Sequence, residues 1–385
     1  MNQMFLYLLN HLTMNKQDIF KIMRSIFISA LAAVTLLASC EAQQNQAAVE
    51  AEKGLKDYYS GYFPVGVAVA PGHLNPAAAE RELIIKEFNS LTAENVMKMG
   101  PIHPEENRYF WDNADIIVNF AAANNLKVRG HTLCWHQQTP GWMFKNPDGS
   151  TVTKEVLLNR LKNHIIQVVT RYKGKVYAWD VLNEAIDDNN SKIYRESPWY
   201  TICGEEFIEK AFRWAHEADP DAQLFYNDYN TENPGKRDRI YKMLKKLLDA
   251  GVPVHGIGLQ GHWSISGPSE KDLRDAIEKY SSLGLKVQIT ELDVSVYDRN
   301  EDFSVRKPGD DAFTPEREQK QIEKYKMFFR VFRDYKNVIT GVTFWNVSDK
   351  SSWLDNFPVR NRKNYPLLFD RNMQRKKAYY EVVNF

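Results

Sequence analysis

The chain has 385 residues, with 50 lysines and arginines against 49 aspartates and glutamates. The positive and negative charges stay balanced when the first 39 residues are removed. The sequence therefore lacks the excess of positive charge that is typical of nucleic-acid-binding proteins. Three cysteines are too few for a disulfide scaffold, and none forms a C-x-x-C metal-binding pair. The hydrophobic fraction of 43% and the charged fraction of 26% are typical of a globular chain, long enough for one large domain or two ordinary ones.

The N-terminal segment has the layout of an export signal. An uncharged apolar run of 13 residues, Ile26–Ala38, follows Lys21 and Arg24 and is short for a membrane span. It leads into Leu-Ala-Ser-Cys, ending at Cys40, which resembles the lipobox of bacterial lipoproteins. The resemblance implies cleavage before Cys40, a lipid on its sulfur, and a membrane-anchored protein on the periplasmic or cell-surface side. The alternative is an ordinary signal peptide with a chance cysteine.

The boundaries of this N-terminal region divide the chain into three parts. Residues 1–39 are predicted to be a signal peptide, with an extension that leaves Met14 or Met23 open as the start of translation. Residues 40–54 hold the lipidated cysteine and a polar Gln/Asn/Ala-rich tether without apolar periodicity. Residues 55–385 are predicted to be one domain.

The domain alternates short apolar or β-branched segments with longer amphipathic ones. The predicted strands are Pro64–Ala70, Ser90–Asn95, Lys127–Trp135, Val176–Glu184, Gln223–Asn230, Gly256–Trp263, Lys286–Val294 and Val338–Val347. The predicted helices are Ala77–Asn89, Asn113–Asn125, Thr153–Tyr172, Glu205–Ala218, Lys236–Ala250, Glu270–Ser282, Glu316–Tyr335 and Lys376–Val383. Eight such units predict an α/β fold, a single (β/α)₈ TIM barrel. A doubly wound open sheet is the alternative, but no Gly-rich phosphate turn follows the first strand.

Polar residues collect at the predicted carboxyl ends of the strands, where barrels of this type carry their chemistry. Glu184 and Glu291 end the fourth and seventh strands, on roughly opposite sides of the barrel mouth. Two carboxylates across a cleft suit glycoside hydrolysis, in which one protonates the leaving oxygen and the other attacks the anomeric carbon or activates water. The alternative is a pair of barrel-end carboxylates in salt bridges with neighbouring Lys or Arg.

Seven segments at or near the predicted strand ends form a recognisable set: TAENVMK (92–98), RGHTLCWH (129–136), WDVLNEA (179–185), NDYN (227–230), QGHW (260–263), ITELDV (289–294) and DKSSWL (349–354). Together they closely resemble family-10 glycoside hydrolases, which are mostly endo-β-1,4-xylanases. The resemblance runs from about residue 55 to the C-terminus, in the family's order and with suitable spacing.

The resemblance implies a retaining mechanism with Glu184 as acid/base and Glu291 as nucleophile, their carboxyls about 5–5.5 Å apart. It places His262 and Asp293 where they hydrogen-bond and orient the nucleophile, and Asn183 at the sugar 2-hydroxyl. The implied substrate is xylan or a xylo-oligosaccharide. For His262 the alternative role is that of a barrel-end histidine with satisfied hydrogen bonds.

The resemblance also implies a set of substrate-binding residues: Glu94, Asn95, Lys98, His131, Trp135, Tyr229, Gln260, Trp345 and Trp353. Tyr229 and Gln260 are the weaker matches, and a core role is the alternative for Trp345. His131 and His136 lie five apart on a predicted strand, hence on opposite faces, so no metal site is expected. We expect no cofactor and a monomer.

The sequence departs from the family pattern at three places. Cys134 stands where an aliphatic residue is usual, Asn346 follows Trp345 where Gly is common, and the loop Asp298–Phe313 is long and charged. Cys203, at the start of the fourth predicted helix, has no assigned role. Two other functions stay open: a non-catalytic glycan-binding lipoprotein, and a cellulase or mixed β-1,4-glycanase on the same barrel.

Overall fold

The computed structural model describes residues 52–297 and 312–385, together with Gln17. Residues Lys53–Phe385 form one compact unit. The predicted signal peptide, the predicted lipid site at Cys40, most of the predicted tether and most of the loop after the seventh barrel strand lie outside the described residues.

The described sheet closes on itself through parallel pairs. β1 to β6 pair in sequence, β6 pairs with β8, β8 with β9, and β9 with β1. The strands are β1 (Val65–Val69), β2 (Ser90–Ala93), β3 (Lys127–Cys134), β4 (Ala178–Asn183), β5 (Gln223–Asp228), β6 (Gly256–Leu259), β7 (His262–Ser264), β8 (Lys286–Ser295) and β9 (Ile339–Phe344). The short β7 pairs with β8 alone, so β8 and β9 are the seventh and eighth barrel strands. The predicted TIM barrel is confirmed.

Amphipathic helices cover the outside of the barrel. They are α1 (Leu55–Tyr58), α2 (Ala79–Glu87), α3 (Met99–Ile102), α4 (Asp112–Ala123), α5 (Lys154–Arg171), α6 (Pro198–Cys203), α7 (Glu206–Ala218), α8 (Pro234–Asp249), α9 (Glu270–Ser281), α10 (Pro315–Asp334) and α11 (Lys377–Val383). Helix α5 shows the pattern, since Leu157, Leu161 and Ile165, four residues apart, are all buried. The described residues contain no helix that is both long and apolar enough to cross a membrane.

The sequence predictions differ from the structure at two informative places. The sixth predicted strand is divided, because Gly261 adopts φ +79° and turns the chain between β6 and β7. Cys203 does not start the fourth predicted helix but ends the separate helix α6. That helix starts at Pro198 after the Ser197 cap and stops at Gly204, φ +62°.

A buried ionic layer lies inside the barrel below its mouth. Arg129 and Asp180, both fully buried, form a bidentate ion pair, and the Arg129 Nε donates to the Oε1 of Gln288 at 2.8 Å. The same Asp180 contacts the Nδ1 of His131 at 2.8 Å. Arg129 and His131 lie on the same strand, and each of their hydrogen-bond partners comes from another strand. This layer therefore fixes His131 at the floor of the barrel mouth.

Candidate active site

Glu184 follows the last residue of β4 and is buried at the barrel mouth. Its Oε2 accepts from the Trp135 Nε1 at 2.9 Å and its Oε1 from the Gln260 Nε2 at 2.9 Å. Burial raises the pKa of Glu184, the charge of Asp228 raises it further, and the two hydrogen bonds oppose the rise. Glu184 therefore keeps its proton to a higher pH than an ordinary carboxyl.

Glu291, on β8, lies in the opposite electrostatic environment. Its Oε1 accepts from the Asn227 Nδ2 at 2.8 Å and its Oε2 from the His262 Nε2 at 3.1 Å. Burial alone would raise the pKa of Glu291, but the His262 hydrogen bond and the charges of His131, His262 and Lys98 outweigh it. They lower the pKa to about 2. Glu291 is thus an anion at neutral pH.

His262 is the charged partner of Glu291. Its Nδ1 lies 2.8 Å from the Oδ2 of Asp293, which also accepts from the Trp353 Nε1 at 2.9 Å. Burial would lower the pKa of His262, but Asp293 first and Glu291 second raise it to about 10. At neutral pH the ring is an imidazolium that donates from both nitrogens, which fixes its orientation.

Side-chain amides link the two carboxylates. The Asn227 Nδ2 carries two protons and donates one of them to Glu291. The second needs an acceptor, so the atom of Asn183 that lies 2.9 Å from this nitrogen is its Oδ1. Gln260 donates from its side chain to Glu184, while its carbonyl accepts from the Glu291 N–H at 2.7 Å. Asn227 was missed as a site residue at the level of sequence, although it opens the NDYN segment at the end of β5.

Lys98 is the centre of a polar and aromatic wall beside the carboxylates. It is buried, its Nζ donates to the Oδ1 of Asn95 at 3.0 Å, and it lies 5.1 Å from the Trp135 ring and 5.8 Å from the Trp345 ring. Burial lowers the pKa of Lys98, and the charges of Glu291, Glu94 and Glu184 oppose that shift. The structure therefore brings these predicted substrate-binding residues together.

The aromatic side chains form a series of ring contacts along the mouth, most of them edge-on. His131 meets the Trp345 ring edge-on at 5.5 Å, and His262 lies 4.9 Å from the Trp353 ring. Phe357, exposed at the rim, stacks on Trp353 at 5.1 Å, and no motif in the sequence singled it out. Trp345 itself is largely buried, so it presents little surface to the cleft.

Tyr229 takes part in a charge cluster that the sequence did not reveal. Its hydroxyl donates to Asp188 and accepts from the Arg195 Nη2 at 2.9 Å, and the Lys236 Nζ lies 3.7 Å from its ring. The hydrogen bonds of its side chain therefore go to this cluster. Because Asp188, Arg195 and Lys236 lie outside the recognised motifs, no local pattern marked them.

His136 lies close to Glu184, past the end of β3, with its Nδ1 4.0 Å from the Oε2 of the carboxyl. Burial, with the charge of Arg195, lowers its pKa to about 4, so the ring is neutral at pH 7. Residues 52–297 and 312–385 contain no group of three or more His, Cys, Asp or Glu suited to a metal ion. Cys134 and Cys203 are buried free thiols.

Asn346 is the departure from the family pattern with the clearest structural cost. It has φ +111°, is fully buried, and neither polar atom of its side chain has a hydrogen-bond partner in the described part of the chain. A residue without a side chain would avoid both the backbone strain and the unsatisfied amide.

The barrel mouth thus holds one carboxyl that favours its proton and one that favours its charge, between amide donors and indole rings. This division of two carboxyls on a TIM barrel defines the class of the protein: it is a glycoside hydrolase. The sequence profile of glycosyl hydrolase family 10 matches residues 54–385. The chain belongs to that family.

Individual relatives agree with the family profile. A β-1,4-xylanase of Dictyoglomus thermophilum is 54% identical over 332 residues, covering 86% of this chain and 90% of the relative. The crystal structure of xylanase XynB from Paenibacillus barcinonensis with a conduramine derivative is 47% identical, covers 87% of this chain and 99% of that chain, and superposes with a TM-score of 0.82. A mutant structure in complex with xylotriose is 42% identical, covers 86% of this chain and 99% of that one, with a TM-score of 0.81.

Proposed function

We propose that Glu184 and Glu291 hydrolyse internal β-1,4-xylosidic bonds of xylan by double displacement. The protein is a family-10 endo-1,4-β-xylanase, supported by relatives at 47–54% identity over most of the chain. The observation that carries the residue assignment is the opposite displacement of the two pKa values, upward for Glu184 and downward for Glu291. General-acid and nucleophilic roles require that division.

In the first step Glu184 gives its proton to the glycosidic oxygen while Glu291 attacks the anomeric carbon. The C–O bond breaks, the leaving sugar departs with a new hydroxyl, and a glycosyl ester forms on Glu291. In the second step the ionised Glu184 takes a proton from water as the water oxygen attacks the same carbon. The ester breaks, Glu291 returns as an anion, and the two inversions retain configuration.

The residues around Glu291 act mainly through charge and orientation. His262 stabilises the ionised carboxylate and holds its Oε2, while Asn227 holds its Oε1, so the two donors fix the orientation of the nucleophile. We assign Asn183 to the sugar 2-hydroxyl, an interaction that strengthens as the oxocarbenium-like transition state develops. Lys98 with Asn95 and Glu94 supplies donors and acceptors to the hydroxyls of the sugars on the non-reducing side.

The assignment is tested with Glu291→Ala and Glu184→Ala. The first variant should lose xylan hydrolysis, because no nucleophile remains. The second should lose xylan hydrolysis but retain glycosylation on an aryl xyloside with an activated leaving group, and added azide should accelerate its turnover. Glu209→Gln, which removes an exposed carboxylate on α7, is the matched control and should keep wild-type activity. Full xylanase activity in either active-site variant would contradict the assignment.

We further propose that the chain is exported as a lipoprotein: residues 1–39 are a signal peptide removed on export, residues 40–54 carry the lipid and the tether, and residues 55–385 are the catalytic domain. The lipobox-like segment before Cys40 supports this, since two acyl chains contribute roughly 0.8 kcal/mol per buried CH₂ and give stable anchoring. The full chain, made in a bacterial host, should partition into the detergent phase, and Cys40→Ser should move it to the aqueous phase. Cys203→Ser is the control, and equal partitioning of all three proteins would exclude the anchor.

A further inference from the structure

Glu184 sits on a strained section of backbone that several groups hold in place. Its backbone φ is +58°, in the left-handed region that residues other than Gly rarely adopt. Its N–H donates to the Asn227 carbonyl at 2.9 Å, and its own carbonyl accepts from the Arg195 Nε at 3.0 Å. The next two N–H groups, of Ala185 and Ile186, both donate to the hydroxyl of Tyr226 at 3.1 Å.

The Tyr226 hydroxyl connects this backbone to a buried ion pair. Because its oxygen accepts two N–H groups, its own proton must point elsewhere, and it donates to the Oδ2 of Asp228. The Oδ1 of Asp228 receives the Lys236 Nζ at 2.8 Å and the Tyr229 N–H at 2.9 Å. Asp228 is fully buried and Lys236 nearly so. The three side chains therefore form one line, from Lys236 through Asp228 and Tyr226 to the backbone after Glu184.

We propose that Asp228 is a positioning residue for the acid/base Glu184: through Tyr226 it fixes the left-handed backbone, and it places a negative charge behind the carboxyl. The inference rests on the proposed catalytic role of Glu184. It assigns a function to a residue that touches neither the nucleophile nor the sugar.

The charges around Glu184 support the second half of this role. Burial is the first cause of the raised pKa of Glu184, and the charge of Asp228 is the second, ahead of Glu291. Other ionisable groups that face or act on Glu184 are His136, neutral at pH 7, Lys98, and Arg195, whose Nε donates to the Glu184 carbonyl.

Three donors hold the two oxygens of Asp228 and favour its charged form. Burial raises the pKa of Asp228, while Lys236, Tyr226 and Arg195 oppose the rise. Tyr280, also fully buried, is a further group whose pKa the charge of Asp228 raises. With an ammonium, a hydroxyl and an N–H all donating to its two oxygens, the carboxylate form is the stable one.

The test is the pH profile of kcat/KM for Asp228→Asn, measured with 4-nitrophenyl β-xylobioside. The alkaline limb of this profile reports deprotonation of the general acid in the free enzyme. Loss of the negative charge should move that limb to lower pH by about one unit. With 2,4-dinitrophenyl β-xylobioside, whose leaving group needs no proton, the loss at alkaline pH should be much smaller.

Two further variants separate charge from geometry. Tyr226→Phe keeps the Asp228 charge but leaves the two backbone N–H groups after Glu184 without their acceptor. We expect kcat/KM on 4-nitrophenyl β-xylobioside to fall about tenfold or more, without a shift of the alkaline limb of the pH profile. Asp188→Asn is the matched control. It removes the other carboxylate bound to Lys236, at 3.0 Å, but this side chain is nearly half exposed and the limb should stay in place.

The outcomes distinguish this inference from the proposed function. If Glu184→Gln is inactive on 4-nitrophenyl β-xylobioside but the alkaline limb of the pH profile does not shift in Asp228→Asn, the role of Asp228 alone is overturned. Full activity of Glu184→Gln would overturn both. Should circular dichroism show that Asp228→Asn does not fold, Tyr226→Phe decides, since an unchanged kcat/KM in that variant contradicts the positioning role.

Discussion

His262 offers the sharpest test of the electrostatics in the barrel mouth. It lies between two buried carboxylates, 3.1 Å from Glu291 and 2.8 Å from Asp293, and carries a proton at neutral pH. The substitution His262→Gln keeps a hydrogen-bond donor of similar reach but removes the positive charge. Two buried negative charges then face each other with much less compensation, so the folded state should lose stability.

The size of the loss follows from the shifted pKa values. The pKa of His262 rises from 6.5 to about 10, which corresponds to about 5 kcal/mol. The pKa of Glu291 falls from 4.5 to about 2, which corresponds to about 3 kcal/mol. The His262 figure includes Asp293 and the Glu291 figure includes the charges of His131 and Lys98, so the two figures share the His262–Glu291 interaction and are not added. We expect His262→Gln to lower the free energy of unfolding by about 3–5 kcal/mol at pH 6.

The pH dependence gives the sign of the effect. Because the folded pKa of His262 is raised, its contribution is complete below pH 6.5 and is lost as the pH rises through about 10. Urea unfolding at pH 6 and at pH 10.5, followed by tryptophan fluorescence, should therefore show a smaller difference between wild type and variant at pH 10.5. His216→Gln, on the outer helix α7, is the control and should change stability by less than about 1 kcal/mol at both pH values. An equal difference at both pH values for His262→Gln would refute the argument.

Two further predictions concern packing and substrate binding. Gly130→Ala should lower the free energy of unfolding by about 3 kcal/mol or more in chemical denaturation, because the new Cβ would overlap the buried Trp179 ring. Gly72→Ala is the control: no atom lies within 4 Å of its new carbon, so the loss should be less than about 1 kcal/mol. Trp353→Phe keeps an aromatic ring but removes the N–H that donates to Asp293 at 2.9 Å. The kcat/KM on xylotriose should therefore fall about tenfold while the secondary structure stays unchanged. An unchanged kcat/KM would show that this hydrogen bond is dispensable.

The order of elements was readable from the sequence because it is a local property. Strand and helix periods, Pro315 in the first turn of α10, and Gly251 and Gly284 with φ of +64° and +81° are all set by neighbouring residues. The division of β6 from β7 was not readable, since Gly261 lies between Gln260 and His262 in a segment that also fits a continuous strand.

The two candidate carboxylates were also predicted from the sequence. Glu184 directly follows β4, Glu291 lies in the carboxyl-terminal half of β8, and in a parallel barrel the carboxyl ends of all strands meet at one mouth. The resemblance assigned Glu184 as acid/base and Glu291 as nucleophile, but the sequence could not supply the physical cause of the difference between them. That cause is burial together with the Asp228 charge at Glu184, and the His262 hydrogen bond with nearby positive charges at Glu291, all brought into place by the closure of the barrel.

The sequence by itself therefore determined the barrel, its repeat and the candidate carboxylates, because each depends on short-range periodicity and on the direction of strands. Only the tertiary structure decided which side chains touch across the mouth, such as Asn227 and Glu291, 64 residues apart, or Gln260 and Glu184, 76 apart. Contacts of that kind depend on strand register and barrel closure, and burial and nearby charge then set the protonation state of each carboxyl.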